Sequence, residues 1–235
     1  MHEDDSKLPV TEMVTRRIQE MIRSGEIPKN SKLPSQRILA QQLGVSRTSL
    51  REALLTLETL GLLRTLPARG TFVRETGPGA AQAAMTWRYD AQFSLSEVFE
   101  TRAMVETEMC RLAAAVVTPA RLDEISDAAR MFEGAWRSGD LVAHVDADLR
   151  FHSLIAETCS NSMLRMLYRS IHAVLTESQR APIPNTAVSR MEASISEHQA
   201  IVRALRSHNP SVAAEAMRRH IENTAAIAGV DLRPV

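Results

Sequence analysis

Hydrophobic residues recur every three or four positions through most of the chain, the mark of helices that bury one face. Val10, Met13, Val14, Ile18, Met21 and Ile22 outline a first helix that stops at Gly25. A loop rich in Pro and Asn, Ile27 to Pro34, follows. Ser35 then stands at the N-cap of a short helix, Gln36 to Leu43, with Ile38, Leu39 and Leu43 facing inward. Gly44 turns the chain into a third helix that opens at Ser46, carries Leu50, Ala53, Leu54 and Leu57 at i, i+3, i+4, i+7, and stops at Gly61. After that the period changes. Leu62-Leu63-Arg64-Thr65 and Thr71-Phe72-Val73 read as two short strands with a turn at Pro67-Ala68-Arg69-Gly70. Three helices followed by a β-hairpin predict a winged helix-turn-helix over residues 1–75.

Between residues 76 and 93 the pattern breaks into small residues, Thr76-Gly77-Pro78-Gly79-Ala80-Ala81, and reads as a linker. From Ser94 the helical period returns without strand signals. Leu95, Val98, Phe99, Arg102, Val105, Glu106, Met109, Leu112 and Ala113 mark a long helix, and Pro119 opens the next, which runs through Trp136. Ser138-Gly139-Asp140 separates it from a helix over Leu141–Thr158, and Asn161 caps one running towards Gln179. After a loop at Ala181–Asn185, helices near Arg190–Ser207 and Ser211–Gly229 meet at Asn209-Pro210. The fold class is therefore mainly α: a winged domain, then an antiparallel bundle of about six helices over residues 94–230. Trp87, Trp136, Tyr89 and Tyr168, like the scattered methionines, suit packing or an interface.

Composition adds a division of labour. The chain of 235 residues has 28 basic and 28 acidic side chains. Residues 1–76 hold 12 Lys/Arg against 9 Asp/Glu, and the remainder 16 against 19. A mildly basic first third with an acidic remainder fits a two-job protein. Two cysteines, Cys110 and Cys159, imply no disulfide framework. The polar start MHEDDSK is unlike a signal peptide, and no apolar run is long enough for a bilayer, so a cytoplasmic protein without a membrane partner is expected.

The first candidate chemistry lies on the third helix, where Arg47, Thr48 and Arg51 cluster on the opening turns away from the apolar stripe. Such a helix end can enter a DNA major groove, or it is simply a solvated basic surface. The motifs Leu33-Pro34-Ser35-Gln36-Arg37-Ile38-Leu39-Ala40, Val45-Ser46-Arg47-Thr48-Ser49-Leu50-Arg51-Glu52-Ala53-Leu54, Gly61-Leu62-Leu63 and Arg69-Gly70-Thr71-Phe72-Val73 resemble the N-terminal domain of GntR-family transcription regulators. Gln36 stands where Glu is usual, and Ser49 where many members have Pro; Ser49-Leu50 is similar to the pyruvate- and lactate-responsive branch. The resemblance implies that Arg37, Arg47, Thr48 and Arg51 contact double-stranded operator DNA and that Gly70 brings the wing tip to the minor groove. Arg69 is then a minor-groove reader or a phosphate contact. Arginine suits guanine bidentately, and glycine admits close backbone approach.

A second constellation lies in the bundle. Asp148 and His152 are i, i+4 on one helix face. His198 and His220 are each eleven residues from the turn at Asn209, so antiparallel helices place them at the same height. One carboxylate and three imidazoles suit a divalent transition ion: zinc, with manganese or nickel as alternatives. Buried structural histidines are the plainer reading, and His144 and Asp146 compete for the same role. Asp148-Leu-Arg-Phe151-His152, Glu197-His198, the late His220, and Glu100-Thr-Arg102 with Glu106 are similar to the FadR-type helical (FCD) effector domain of GntR regulators. That resemblance implies Asp148, His152, His198 and His220 as metal ligands, Arg102 as the partner of a small carboxylate effector, and Asn161 near the pocket, although Asn161 also reads as a plain cap. A hydroxy-, keto- or sugar acid fits, with a homodimer on a palindromic operator. A metal-dependent enzyme and a DNA-binding protein with a purely structural metal remain as alternatives, but no catalytic motif accompanies the ligands.

Overall fold

The computed structural model describes residues 9–74, 87, 89–183 and 186–232. Helices α1 (Val10–Arg23), α2 (Gln36–Leu43) and α3 (Arg47–Thr59) are followed by a hairpin of β1 (Leu63–Leu66) and β2 (Gly70–Val73). Six helices follow: α4 (Leu95–Val116), α5 (Pro119–Ser138), α6 (Leu141–Thr158), α7 (Ser162–Arg180), α8 (Val188–Arg206) and α9 (Pro210–Ile227). Most of the expected linker lies outside the described residues. Its last part folds back, with Trp87 Nε1 donating to the Phe93 carbonyl at 2.6 Å.

The local punctuation acts as read. Ser35 accepts from the Ile38 N–H, and Ser46 from the Ser49 N–H at 3.0 Å. Gly44 sits at φ 66, the left-handed value that lets α2 end and α3 start at once. In the hairpin, Leu63 pairs with Val73 and Leu66 with Gly70. Gly70 has φ 108, which L side chains rarely adopt; the Lys32 Cε that a Cβ would meet at 2.6 Å belongs to a flexible side chain that can move aside, so the backbone angle is what calls for glycine.

Two expectations need correction. Ile38 is 42 % exposed; Leu39 and Ala40 form the buried face of α2, one helical step away from it. Val10 and Met13, at 50 % and 43 %, are likewise outside the core. The loop before α2 is also more ordered than its composition suggests. Leu33 N–H donates to the Thr71 carbonyl at 2.8 Å and Val73 N–H to the Ser31 carbonyl at 2.9 Å, which ties residues 30–33 to the edge of β2.

The core does not stop at the wing. Val14, Ile18, Leu39, Leu50, Leu57 and Leu63 form one apolar cluster that continues into Phe132, Leu141, Val142, Val145, Met191 and Ile195 of the bundle. A second cluster fills the bundle's middle, with Phe99, Ile125, Phe151, Ile201, Met217 and Ile221. A third lies under α7 with Val98, Met109, Cys159 and Tyr168. Small residues on facing helices (Ala113 and Ala114 on α4, Ala213 and Ala225 on α9) let that pair lie close along its length.

The seam between the two units is polar at its edge. Buried Gln19 of α1 accepts from the Val142 N–H at 3.0 Å and donates to Asp140 Oδ1 at 2.6 Å. Asp140 also caps α6 through the Ala143 N–H at 2.9 Å. Arg16 pairs with Asp146, one turn along α6. Replacing Gln19 by Ala leaves the Val142 N–H without its side-chain acceptor. The expected cost is about 1–3 kcal/mol in a urea denaturation series; an unchanged midpoint would show that the seam is not held there.

Candidate functional site

Two sites emerge, one on each unit. On the winged unit, Arg37 of α2 and Arg47, Thr48 and Arg51 of α3 are exposed, as is Arg69 at the turn of the wing. The N-cap at Ser46 starts α3 so that its first turn projects these side chains while Leu50, Ala53, Leu54 and Leu57 stay buried. Arg64, Arg69 and Arg74 line one surface hollow on the hairpin with Asn30. Arg64 and Arg74 were not singled out from the sequence. Arg64 lies on β1 and Arg74 just beyond β2, and their proximity to Arg69 carries a signal only once the hairpin pairing is known. A basic helix start beside a basic wing is the electrostatic footprint of a nucleic-acid binder.

In the bundle, α6, α8 and α9 bring Asp148, His152, His198 and His220 together, with one donor atom from each lying within 4.8 Å of the others. His198 Nε2 is 3.3 Å from His220 Nε2 and 3.2 Å from Asp148 Oδ1, while His152 Nε2 is 3.7 Å from the same oxygen. A tetrahedral zinc with bonds of about 2.1 Å would hold its donors about 3.4 Å apart, so this set fits with small adjustments. Two of the three outer ring nitrogens lie against carboxylates: His220 Nδ1 is 2.9 Å from Glu197 Oε2, and His152 Nδ1 is 2.5 Å from Glu106 Oε2, whereas His198 Nδ1 has no hydrogen-bond partner among the described residues. A carboxylate behind an imidazole sets the tautomer that turns Nε2 inward as a ligand. Two imidazole nitrogens facing each other at 3.3 Å, with a carboxylate oxygen 3.2 Å from one of them, are a donor set that suits a shared cation.

Electrostatics keep the cluster ready. Burial lowers the pKa of His198, and that of His220 to about 4, so both rings are neutral at pH 7. For Asp148 burial alone would raise the pKa, but the His198 hydrogen bond and the surrounding imidazoles outweigh it and hold the group well below the usual range. Glu106 is treated likewise: burial is overcome by Arg102 and His152, and its pKa falls to about 2. Arg102 Nε donates to Glu106 Oε1 at 2.7 Å in a fully buried pair.

Beside the cluster is a small cavity of about 30 Å³ that Arg102, His144, Asp148, Gln179, Ser194 and His220 help to line. Arg102 lines this cavity together with Asp148 and His220. Asn161 does not: it is exposed and caps α7, accepting from the Met163 and Leu164 N–H groups at 3.0 and 3.1 Å. The physical reason is local, since an Asx side chain at a helix start already has its partners. Asp146 faces α1 instead of the cluster, and His144 lines the cavity without joining the ligand set. Gln179 and Ser194 had no sequence signal, because a polar residue near a helix end is ordinary until its surroundings are known.

Known proteins agree with this two-part layout. Residues 10–73 match the gntR family of bacterial regulatory proteins, and residues 97–223 match the FCD domain. The chain is 29% identical over 215 residues to the HTH-type transcriptional regulator LutR of Bacillus subtilis, covering 86% of this chain and 94% of that protein. It is 27% identical over 232 residues to the Glc operon transcriptional activator of Escherichia coli, covering 92% and 88%. It is 26% identical over 230 residues to the transcriptional repressor NanR of an Enterobacter species, covering 92% and 84%. Among solved structures, E. coli McbR/YncC has a TM-score of 0.52 at 21% identity, covering 94% and 98%, and shares the fold. The chain belongs to the GntR family of DNA-binding transcription regulators, in the branch whose second domain is FCD; the family and these relatives are regulators, not enzymes. Among the described residues no helix is long and apolar enough to cross a membrane.

The histidine shifts carry a pH dependence. His220 has an ordinary pKa of 6.5 in the unfolded chain and about 4 when folded, so between these values the unfolded state binds more protons. Metal-free protein should therefore lose thermal stability as the pH falls from about 6.5 towards 4. In a chelator-treated melting series His220→Gln should flatten that slope; an unaltered slope would place the titration elsewhere.

Proposed function

We propose that this regulator senses a small carboxylate, bound next to a divalent metal in the bundle, and answers by changing its affinity for a palindromic operator held by a homodimer in the cytoplasm. The carrying observation is that α6 serves both sites. One face offers Val142 and Asp146 to α1, and the other carries Asp148 and His152. Asp148, His152, His198 and His220 would hold the ion, zinc before manganese or nickel. When bound, it would supply a Lewis-acidic position for a carboxylate oxygen. Arg102 would grip that carboxylate by charge and by its planar fork. A shift of α6 then biases the placement of the winged unit, and operator affinity follows by linkage.

The cavity with Arg102 beside Asp148 and His220 supports an effector role over a purely structural metal. A single winged unit covers too little DNA for strong specificity, which calls for two copies. On α7, Met163, Met166 and Leu167 are 73 %, 63 % and 43 % exposed at i, i+3, i+4, an apolar stripe suited to a partner surface. Repression relieved by effector is the proposed sign; one relative is named a transcriptional repressor. Residues 1–75 would bind DNA and residues 94–230 would bind effector and metal.

Arg47→Ala and Arg51→Ala should each weaken operator binding about tenfold to a hundredfold in fluorescence anisotropy. Unchanged binding and salt slope would remove α3 from the groove. His198→Ala and His220→Ala should lose bound metal by elemental analysis, and full retention would dismiss the ligand set. Arg102→Ala should abolish effector response and spare DNA binding, whereas equal loss of both would sink its role.

A further inference from the structure

The arginines of the winged unit fall into two groups. On α1, Arg16 lies against Glu12 and Asp146, Arg17 against Glu26, and Arg23 against Glu20. Arg37, Arg47, Arg51, Arg64, Arg69 and Arg74 have no carboxylate within 4.0 Å among the described residues. The first three belong to the helices proposed to read DNA. Arg64 and Arg74 lie elsewhere, on the hairpin.

Strand geometry fixes where they point. Leu63 pairs with Val73, Arg64 with Phe72 and Thr65 with Thr71, and successive side chains alternate between the two faces. Leu63 and Val73 are buried, and Glu58 of α3 accepts from the Thr65 N–H at 2.7 Å and from its hydroxyl at 3.0 Å. That face is turned to the core and to α3. Arg64, Leu66 and Phe72 stand on the opposite face, with Arg74 two residues beyond Phe72, and together with Asn30 and Arg69 they line an open hollow of about 320 Å³. Lys32 bridges to Phe72 on the same face, and its side chain reaches Gly70. No acid is among the lining residues. Like charges gathered without acids repel one another, a cost that a polyanion offsets. Leu66 and Phe72 give the hollow an apolar floor, which strengthens the attraction of an arginine for a phosphate. Arg64 and Arg74 occupy diagonal cross-strand positions, about 7–8 Å apart, close to the step between successive phosphates of one DNA strand.

Resting on α3 as the reading helix, we propose that this outer face of the wing is a second DNA-contacting surface, which holds the sugar–phosphate backbone flanking each half-site, beyond the base pairs that α3 reads. Arg64 and Arg74 take successive phosphates, and Lys32 and Arg69 continue the track to the wing tip. Backbone contacts of this kind lengthen the bound duplex and raise affinity without adding sequence preference.

Duplexes selected by the full chain from a random pool supply the operator in two lengths. One is trimmed to the selected half-sites, and the other is extended at each end by one helical turn of unrelated sequence. In anisotropy titrations the wild-type chain should bind the extended duplex about tenfold more tightly, with a steeper dependence on salt. Arg64→Gln and Arg74→Gln should each lower that slope by about 1 on the extended duplex and leave the trimmed one unaffected. Arg64→Lys, which keeps the charge, should keep the slope. The thermal midpoint verifies that each variant is folded. Equal wild-type affinity for both lengths, an unaltered slope in both glutamine variants, or equal losses on the two lengths would each overturn the inference and leave α3 in its groove. So would a rise in thermal midpoint with millimolar pyrophosphate that needs Arg64 while duplex length has no effect, which would make the hollow a free-anion pocket. Selection of no duplex at all would take down the reading helix as well.

Discussion

Helix α6 has to be buried on two sides at once, and the rest of the structure is arranged around that constraint. Leu141, Val142 and Val145 join the apolar cluster shared with α1 and α3, whereas Phe151 and Ile155 belong to the bundle's own core. Between these apolar contacts the same helix carries His144, Asp148 and His152 into the interior. Such a helix cannot move at one face without disturbing the other, because close-packed interiors transmit displacement rather than absorb it. The proposed link between a chemical event in the bundle and the position of the winged unit rests on this packing. The seam itself is built to be specific: Gln19 satisfies a backbone N–H at the start of α6 and the residue that caps it.

Placing so many ionisable groups inside the bundle is costly unless each charge finds a partner. Here two carboxylates do. Glu106 is matched by Arg102 and His152, and Glu197 by Arg190 at 2.6 Å and His220 at 2.9 Å. Asp148 has no such countercharge beside it; its Oδ1 lies 3.2 Å from the neutral His198 ring and 3.7 Å from His152, where a bound cation would supply the missing charge. The Glu106 and Glu197 carboxylates thus stand behind the proposed ligand set, whose four donor atoms lie within 4.8 Å of one another. Electrostatic order thus precedes any ligand, and pre-organised groups need not be rearranged on binding.

The winged unit follows the opposite rule. Its basic side chains are exposed, where they can meet phosphates and base edges, and its local geometry comes from small devices: the Ser35 and Ser46 caps, left-handed Gly44, and Gly70 at φ 108. A chain neutral overall can still bind a polyanion when one unit carries a small basic excess and the other an acidic one.

Much of this was determined by the sequence itself. Helix limits were legible because caps and breakers act within a few residues: Ser46, Gly139, Asp140, Asn161 and Asn209 all sit at the ends they were read to make. The meeting of His198 with His220 was also legible, since a tight turn between antiparallel helices makes position a function of counting. Tertiary structure alone decided the rest. It turned Ile38 outward, tied residues 30–33 to the wing, kept Asn161 as a cap, and gave Asp146 to α1 and His144 to the cavity. It also gathered Gln179 and Ser194 from α7 and α8 around Arg102 of α4. These outcomes depend on which faces of distant helices meet, and a face acquires its partner only when the whole core closes.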